Sequence, residues 1–154
     1  MKGFHHKERG VGVMFDDIYL VSGSRTPFGK YCGSLATVSP TDLGIYAAKD
    51  ALLKSGVHAN DVDQLIAANI GQSSCDAYFL PRHISLYAGL PIGVPALMVQ
   101  RICGSGFETI ITGAEQIALG KASTVLCVGT ENMSLAPTVN FGGRIGYMVG
   151  RPVF

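Results

Sequence analysis

The chain has 154 residues, 47% of them hydrophobic and 15% charged, with a formal net charge of +1. That length suits one domain with a sizeable core; a near-neutral chain with 8% aromatic residues and no basic run carries no footprint of a nucleic-acid binder, and no apolar run approaches the roughly 18 residues of a membrane span. A mean hydropathy of +0.30 is high for a soluble monomer and points to apolar surface covered by a partner or by a further part of the protein.

Residues 1–13 are polar, glycine-containing and patternless, and Met14 stands directly before the first ordered-looking segment. They read as an extension or an upstream start, in which Lys2, Lys7 and Arg9 give only a faint likeness to a transit peptide. Ile18-Tyr19-Leu20-Val21 is β-branched and aromatic-rich and predicts a buried strand, closed by Ser22 and Gly23. A glycine-bearing loop follows from Arg25 to Ser34.

Ser39-Pro40-Thr41-Asp42 predicts a helix start: a hydroxyl to cap, a proline suited to the first turn, and a carboxylate at the positive end of the dipole. Leu43, Ala47, Ala51 and Lys54 keep helical spacing, and Gly56 stops the helix. Asn60–Asp63 is a turn, and Leu65–Ile70 a second strand. After a small, polar loop from Gly71 to Asp76, a helix over roughly Tyr78–Tyr87 ends at Gly89, with Pro91 blocking continuation. A third strand spans about Ala96–Gln100.

From Gly106 onward Phe107, Ile110, Ile111, Ala114, Ile117 and Ala118 repeat with a 3.6-residue period, predicting a deeply buried helix that ends near Gly120. Thr124–Gly129 is near-continuously apolar, as in a strand covered on both faces. Four strands alternating with three helices (βαβαβαβ) define an α/β chain with parallel strands and right-handed crossovers. From Ser134 to Phe154 the glycines and prolines carry no periodic segment.

Function gathers at the carboxyl ends of parallel strands, and there the third strand meets Ile102-Cys103-Gly104-Ser105-Gly106. A cysteine on a tight strand-to-helix turn has its sulfur at the helix's positive end, which favours the nucleophilic thiolate. This is the nucleophile-elbow arrangement with sulfur in place of hydroxyl; the bland alternative is a buried structural cysteine. Asn69 and Glu131 fall at neighbouring strand ends and suit either support of such a site or subunit contacts. Cys127 lies mid-strand and suits the core, while Cys32 and Cys75 lie in loops; none of the four cysteines forms a CxxC pair, which argues against zinc or a redox dithiol. With no secretory signal visible, they read as reduced thiols of an intracellular compartment, cytoplasmic or, in a eukaryote, an organelle matrix. His83, beside Arg82, reads as a base or a satisfied helical histidine, and His58 as a turn residue. Arg25 suits a functional strand-end role or a structural contact, and Arg101, Arg144 and Arg151 suit anionic ligands or plain solvation.

Three ordered motifs resemble the amino-terminal half of the thiolase subunit: Val21-Ser22-Gly23-Ser24-Arg25-Thr26-Pro27-Phe28-Gly29, then Val99-Gln100-Arg101-Ile102-Cys103-Gly104-Ser105-Gly106-Phe107, then Gly129-Thr130-Glu131-Asn132-Met133-Ser134 with Ala136-Pro137. The likeness spans roughly Ile18–Pro137, and Asp76-Ala77 with Arg82-His83 leans toward the 3-ketoacyl-CoA thiolase branch. The resemblance implies a layered, mixed sheet incomplete at its carboxy end, with residues 1–17 a disordered extension, 18–133 a partial thiolase-like domain and 134–154 the start of a poorly structured, inserted loop region. It implies that Cys103 accepts an acyl group from acyl-CoA as a thioester, with its own N–H placed to stabilise the oxyanion, and that coenzyme A is a substrate with no covalently bound cofactor and no metal.

The family's activating histidine, second cysteine and asparagine motif belong to the carboxy-terminal half; His5, His6, His58 and His83 do not stand in the histidine's context. The resemblance therefore leaves two readings: a thiolase-type acyltransferase, or a catalytically incomplete half that folds or assembles with a partner. Implied partners are acyl-CoA and CoA, a second copy or a complementary carboxy-terminal half, with no nucleic acid and no membrane. Because thiolase halves stack through their central helices, the Phe107–Ala118 helix alone would expose apolar surface and the chain would be unstable, aggregate or oligomerise. A decarboxylating condensing enzyme fits the Cys103-Gly104-Ser105-Gly106 context less well, and a cysteine hydrolase lacks a suitably placed histidine.

Overall fold

A computed structural model describes residues 4–6, 13–139 and 146, the first few by their backbone alone. Where disorder is expected, two short strands, β1 (Phe4–His6) and β2 (Val13–Phe15), pair antiparallel, because backbone pairing does not need a periodic side-chain pattern. The main body follows as α1 (Pro40–Ser55), β3 (Gln64–Ala68), α2 (Leu80–Ala88), β4 (Ala96–Met98), α3 (Ser105–Ala118) and β5 (Val125–Gly129). Strands β4, β3 and β5 form one sheet in that order, and both pairings are parallel.

The helix ends sit where their capping residues require. The Ser39 hydroxyl accepts the Asp42 N–H at 3.0 Å, and Gly56 closes α1 in the left-handed region at φ +69°. At the end of α2, Gly89 takes φ +99° while its N–H and that of Leu90 return to the Leu86 and Ser85 carbonyls, a doubly bonded glycine stop.

The central strand β3 is buried from end to end beyond its first residue. Its alternation splits the interior in two. Leu65 and Ala67 join Ala48 of α1, Leu80, Ile84 and Ala88 of α2, and Val128 of β5 in one apolar core. On the opposite face α3 packs against β3 and β5. The result is a three-layer α/β/α arrangement.

Two further expectations are corrected. Ile18–Val21 is not a strand: Tyr19, Leu20 and Val21 are 77%, 80% and 69% exposed, and the segment belongs to no ladder. β-branched composition reports fit to a pleated, half-buried surface, so without a described strand alongside it does not make a strand by itself. The parallel sheet therefore has three strands, and Ile18, Tyr19 and Val21 line a cleft against the Ile117–Gly120 end of α3.

Nor is α3 deeply buried by its apolar stripe. Its buried residues are Ser105, Thr109 and Gly113, whereas Phe107, Ile110 and Ile111 are 76%, 39% and 43% exposed. The face against the sheet is chosen by size. A Cβ on Gly113 would stand 3.0 Å from the Cys127 sulfur, and one on Gly129 would stand 3.3 Å from the Gly106 Cα. Only small side chains let the helix approach that closely, so the large apolar ones face away from the sheet.

Candidate active site

The carboxyl edge of the sheet carries three loops: Asn69–Asp76 after β3, Val99–Gly104 after β4, and Thr130 onward after β5. β3 and β4 are shorter than their apolar runs because the last residues of each run turn to other partners, whereas β5 keeps its run to Gly129. β3 stops at Ala68, not Ile70, because the Ile70 and Gly71 N–H groups donate to the Glu131 carboxylate, both at 2.9 Å. β4 stops at Met98, although the Val99 N–H still reaches the Ala67 carbonyl, and the Gln100 side chain then donates to the Asn69 carbonyl at 3.2 Å.

Cys103 is exposed on the turn between β4 and α3, one residue ahead of the helix cap Gly104. The turn is tight and strained. Ile102 holds φ +48°, a left-handed conformation that costs a β-branched residue roughly 1–2 kcal/mol. Gly104 and Ser105 donate their N–H groups to the Arg101 and Ile102 carbonyls. The Ser105 hydroxyl closes the loop, accepting the Arg101 N–H at 2.6 Å and donating to the Ile102 carbonyl at 2.7 Å. Arg101 pairs with Glu108 of α3 at 2.6 Å, which gives that arginine a structural partner. The elbow thus presents one thiol outward, with no hydrogen bond from its sulfur to a described residue.

The other cysteines are separated from it in kind. Cys127 faces α3, its thiol donating to the Thr109 carbonyl at 3.2 Å, and burial pushes its pKa up to about 11. That is core behaviour, as its mid-strand position suggests. Cys32 and Cys75 are exposed on loops.

His83 is held by Asp76 at 2.6 Å, between the rings of Phe79 and Tyr87, and Asp76 also accepts the Thr41 hydroxyl at 2.9 Å. This three-element joint, tying α1, the β3–α2 loop and α2, was not legible as a unit, since its members are up to 42 residues apart in sequence (83 − 41). No hydrogen bond or ion pair links His83 to Cys103. Burial pushes the Asp76 carboxyl up, but the Ser74, His83 and Thr41 side chains outweigh it and its pKa lies below the ordinary carboxylate value. A depressed carboxyl contributes stability that is complete above the unfolded value, about pH 4, and is lost as pH falls through the folded one. Urea midpoints between pH 6 and pH 2.5 should therefore fall more steeply for the native chain than for Asp76→Asn; parallel profiles would refute the coupling.

Of the remaining candidates, Arg25 stacks over Phe28 at 4.5 Å and bonds the Thr26 carbonyl, and His58 accepts the Asn60 N–H, so both have local structural partners. Arg144 and Arg151 lie outside the described residues, as do the side chains of His5 and His6. Among the described residues no group of three His, Cys, Asp or Glu side chains is placed to hold a metal ion. Asn132 escaped sequence reading: its amide donates to the Leu35, Ala36 and Val38 carbonyls and anchors the loop before α1.

The chain is thus a layered α/β domain with a cysteine turn at the carboxyl edge of its parallel strands, the edge where the sites of such sheets gather. Comparison with known proteins narrows that class. Residues 18–151 match the family model described as thiolase, N-terminal domain. The chain is 46% identical over 133 residues to a mitochondrial 3-ketoacyl-CoA thiolase of Pongo abelii, covering 84% of this chain and 34% of that protein. It is 37% identical over 139 residues to an acetyl-CoA acetyltransferase of Pseudomonas aeruginosa, covering 87% and 34%. The crystal structure of human mitochondrial 3-ketoacyl-CoA thiolase in complex with CoA superposes with a TM-score of 0.83 at 45% identity, over 85% of this chain and 33% of that one. The chain belongs to the thiolase family, and it spans about a third of the length of the relatives it matches.

Proposed function

We propose that this chain supplies the nucleophile-bearing part of a thiolase-type acyltransferase, with Cys103 as the acyl acceptor. The observation that carries the reading is the exposed Cys103 thiol on a strained turn immediately before α3, within a chain of thiolase sequence. The Cys103 thiolate attacks the carbonyl of an acyl-CoA, a C–S bond forms to the enzyme, the bond to CoA sulfur breaks, and the departing CoA thiolate takes a proton. In 3-ketoacyl-CoA thiolysis the attack falls on the 3-keto carbon, the bond between carbons 2 and 3 breaks, and the released acetyl-CoA carbanion is protonated; a second CoA thiol then removes the acyl group. Coenzyme A acts as substrate and no further cofactor is needed.

The base and acid for these steps belong to the part of thiolases beyond the third matched here. Residues 18–133 form the partial domain, preceded by the extension 1–17, and 134–154 begin the inserted loop region. The exposed Phe107, Ile110 and Ile111 face of α3 is covered in the working protein by the complementary half or by another copy of the chain. The names of the mitochondrial relatives favour an organelle matrix as its compartment.

Acetyl-CoA provides the test. Intact-mass analysis of the native chain should show one acetyl group on Cys103, with an equivalent of CoA released and no adduct in Cys103→Ser. If iodoacetamide modifies Cys103 readily but acetyl-CoA leaves it unacylated, the alternative holds: a half that folds or assembles without turning over.

A further inference from the structure

Glu131 stands two residues beyond β5, yet its carboxylate is spent entirely on the end of β3. Oε2 accepts the Ile70 and Gly71 N–H groups, each at 2.9 Å, and Oε1 accepts the Asn69 side-chain amide at 3.0 Å. Gly71 makes room for it, since a Cβ there would stand 2.8 Å from Oε1. Asn69 is 1% exposed, and its amide orientation is fixed because the same nitrogen donates to the Thr130 carbonyl at 3.0 Å. The backbone carbonyl of Asn69 in turn accepts Gln100, three residues before Cys103. One line of contacts, Glu131–Asn69–Gln100, therefore crosses all three strand ends and terminates at the cysteine turn.

That turn needs holding from both sides. Ile102 at φ +48° persists only if its neighbours over-determine it. On the helix side Ser105 fixes Arg101 and Ile102; on the strand side the last tether before the turn is Gln100 to Asn69, one residue beyond the backbone bond from Val99 to Ala67. We infer that Glu131 is a positioning residue for Cys103, acting through Asn69 and Gln100 to fix the strand side of the elbow. The inference rests on Cys103 being the activated nucleophile. A carboxylate suits the role because it accepts all three donors at once with charge assistance, whereas glutamine would turn a donor toward them.

The test is the rate at which iodoacetamide alkylates each cysteine of the reduced native chain, followed by peptide mass spectrometry, with Cys32 as the internal reference. Glu131→Gln and Gln100→Ala are each expected to slow Cys103 about threefold or more while leaving Cys32 unchanged, because loosening a poised group is costly even without unfolding. Gln100 is exposed, so its alanine variant decides the question if Glu131→Gln does not fold. Thr41→Val, which breaks the remote Asp76 contact, serves as the control for destabilisation alone. An unchanged Cys103 rate in the folded variants, or an equal slowing in Thr41→Val, overturns the inference. A native Cys103 that reacts no faster than Cys32 instead overturns the nucleophile reading beneath it.

Discussion

Replacing Ile84 with alanine is expected to destabilise the chain by about 3 kcal/mol, read as a lowered urea midpoint at unchanged slope. Ile84 is fully buried where α1, α2 and the sheet meet, so truncation removes apolar contacts and leaves a cavity that rigid neighbours cannot close. The site is also intolerant of added volume. A Cβ on Gly44 of α1 would lie 2.5 Å from Ile84 Cδ1 and 3.4 Å from Val128 Cγ1, so Gly44→Val should cost about 2 kcal/mol by overpacking. The two positions share one space. Gly44→Ala should therefore be better tolerated on an Ile84→Val background than on the native one, with a coupling of about 0.5–1 kcal/mol in a double-mutant cycle. Simple additivity would show that the two helices do not meet through this pair. An Ile84→Ala loss below about 1 kcal/mol would mean that the core collapses around the gap.

The second large effect concerns self-association. Phe107, Ile110 and Ile111 form an exposed apolar face on α3, and covering even a few hundred Å2 of such surface at ~25 cal/mol per Å2 is worth several kcal/mol. The native chain should sediment as concentration-dependent oligomers. Replacing Phe107 and Ile111 with glutamine should return it toward monomer. Because both side chains are exposed, the replacement should move the intrinsic stability of the monomer by no more than about 1 kcal/mol. A native chain that is monodisperse, monomeric and cooperatively unfolding would count against the expectation, as would oligomers that persist unchanged in the double variant.

The elements that sequence reveals best here are those closed by local chemistry. Ser39 and Gly56 bound α1, Gly89 ends α2, and short apolar runs locate β3, β4 and β5, because caps and strand runs act within a few residues. What depends on distant partners was hidden. Tyr19, Leu20 and Val21 have strand composition, but a strand exists only with its ladder. The period of α3 is plain in the sequence, yet periodicity does not say which side of the helix meets the sheet; Gly113 and Cys127, matched in size across the seam, decide that. At the site, the Cys-Gly-Ser-Gly run after an apolar segment marks the elbow. Its strain does not show, because isoleucine is an improbable choice for φ +48°. Likewise Asn69 and Glu131 can be placed at strand ends, but their contact follows from the register that pairs Ala68 with Gly129.

The seam between α3 and β5 also bears on how this sequence can drift. A methyl group on Gly113 would press on the Cys127 sulfur, and one on Gly129 would press on the Gly106 backbone, so neither fits without a neighbour yielding. An addition at Gly129 presses on the first turn of α3, which directly follows the turn bearing Cys103. The separation between the cysteine turn and the sheet edge is thus set by an absence of side chains.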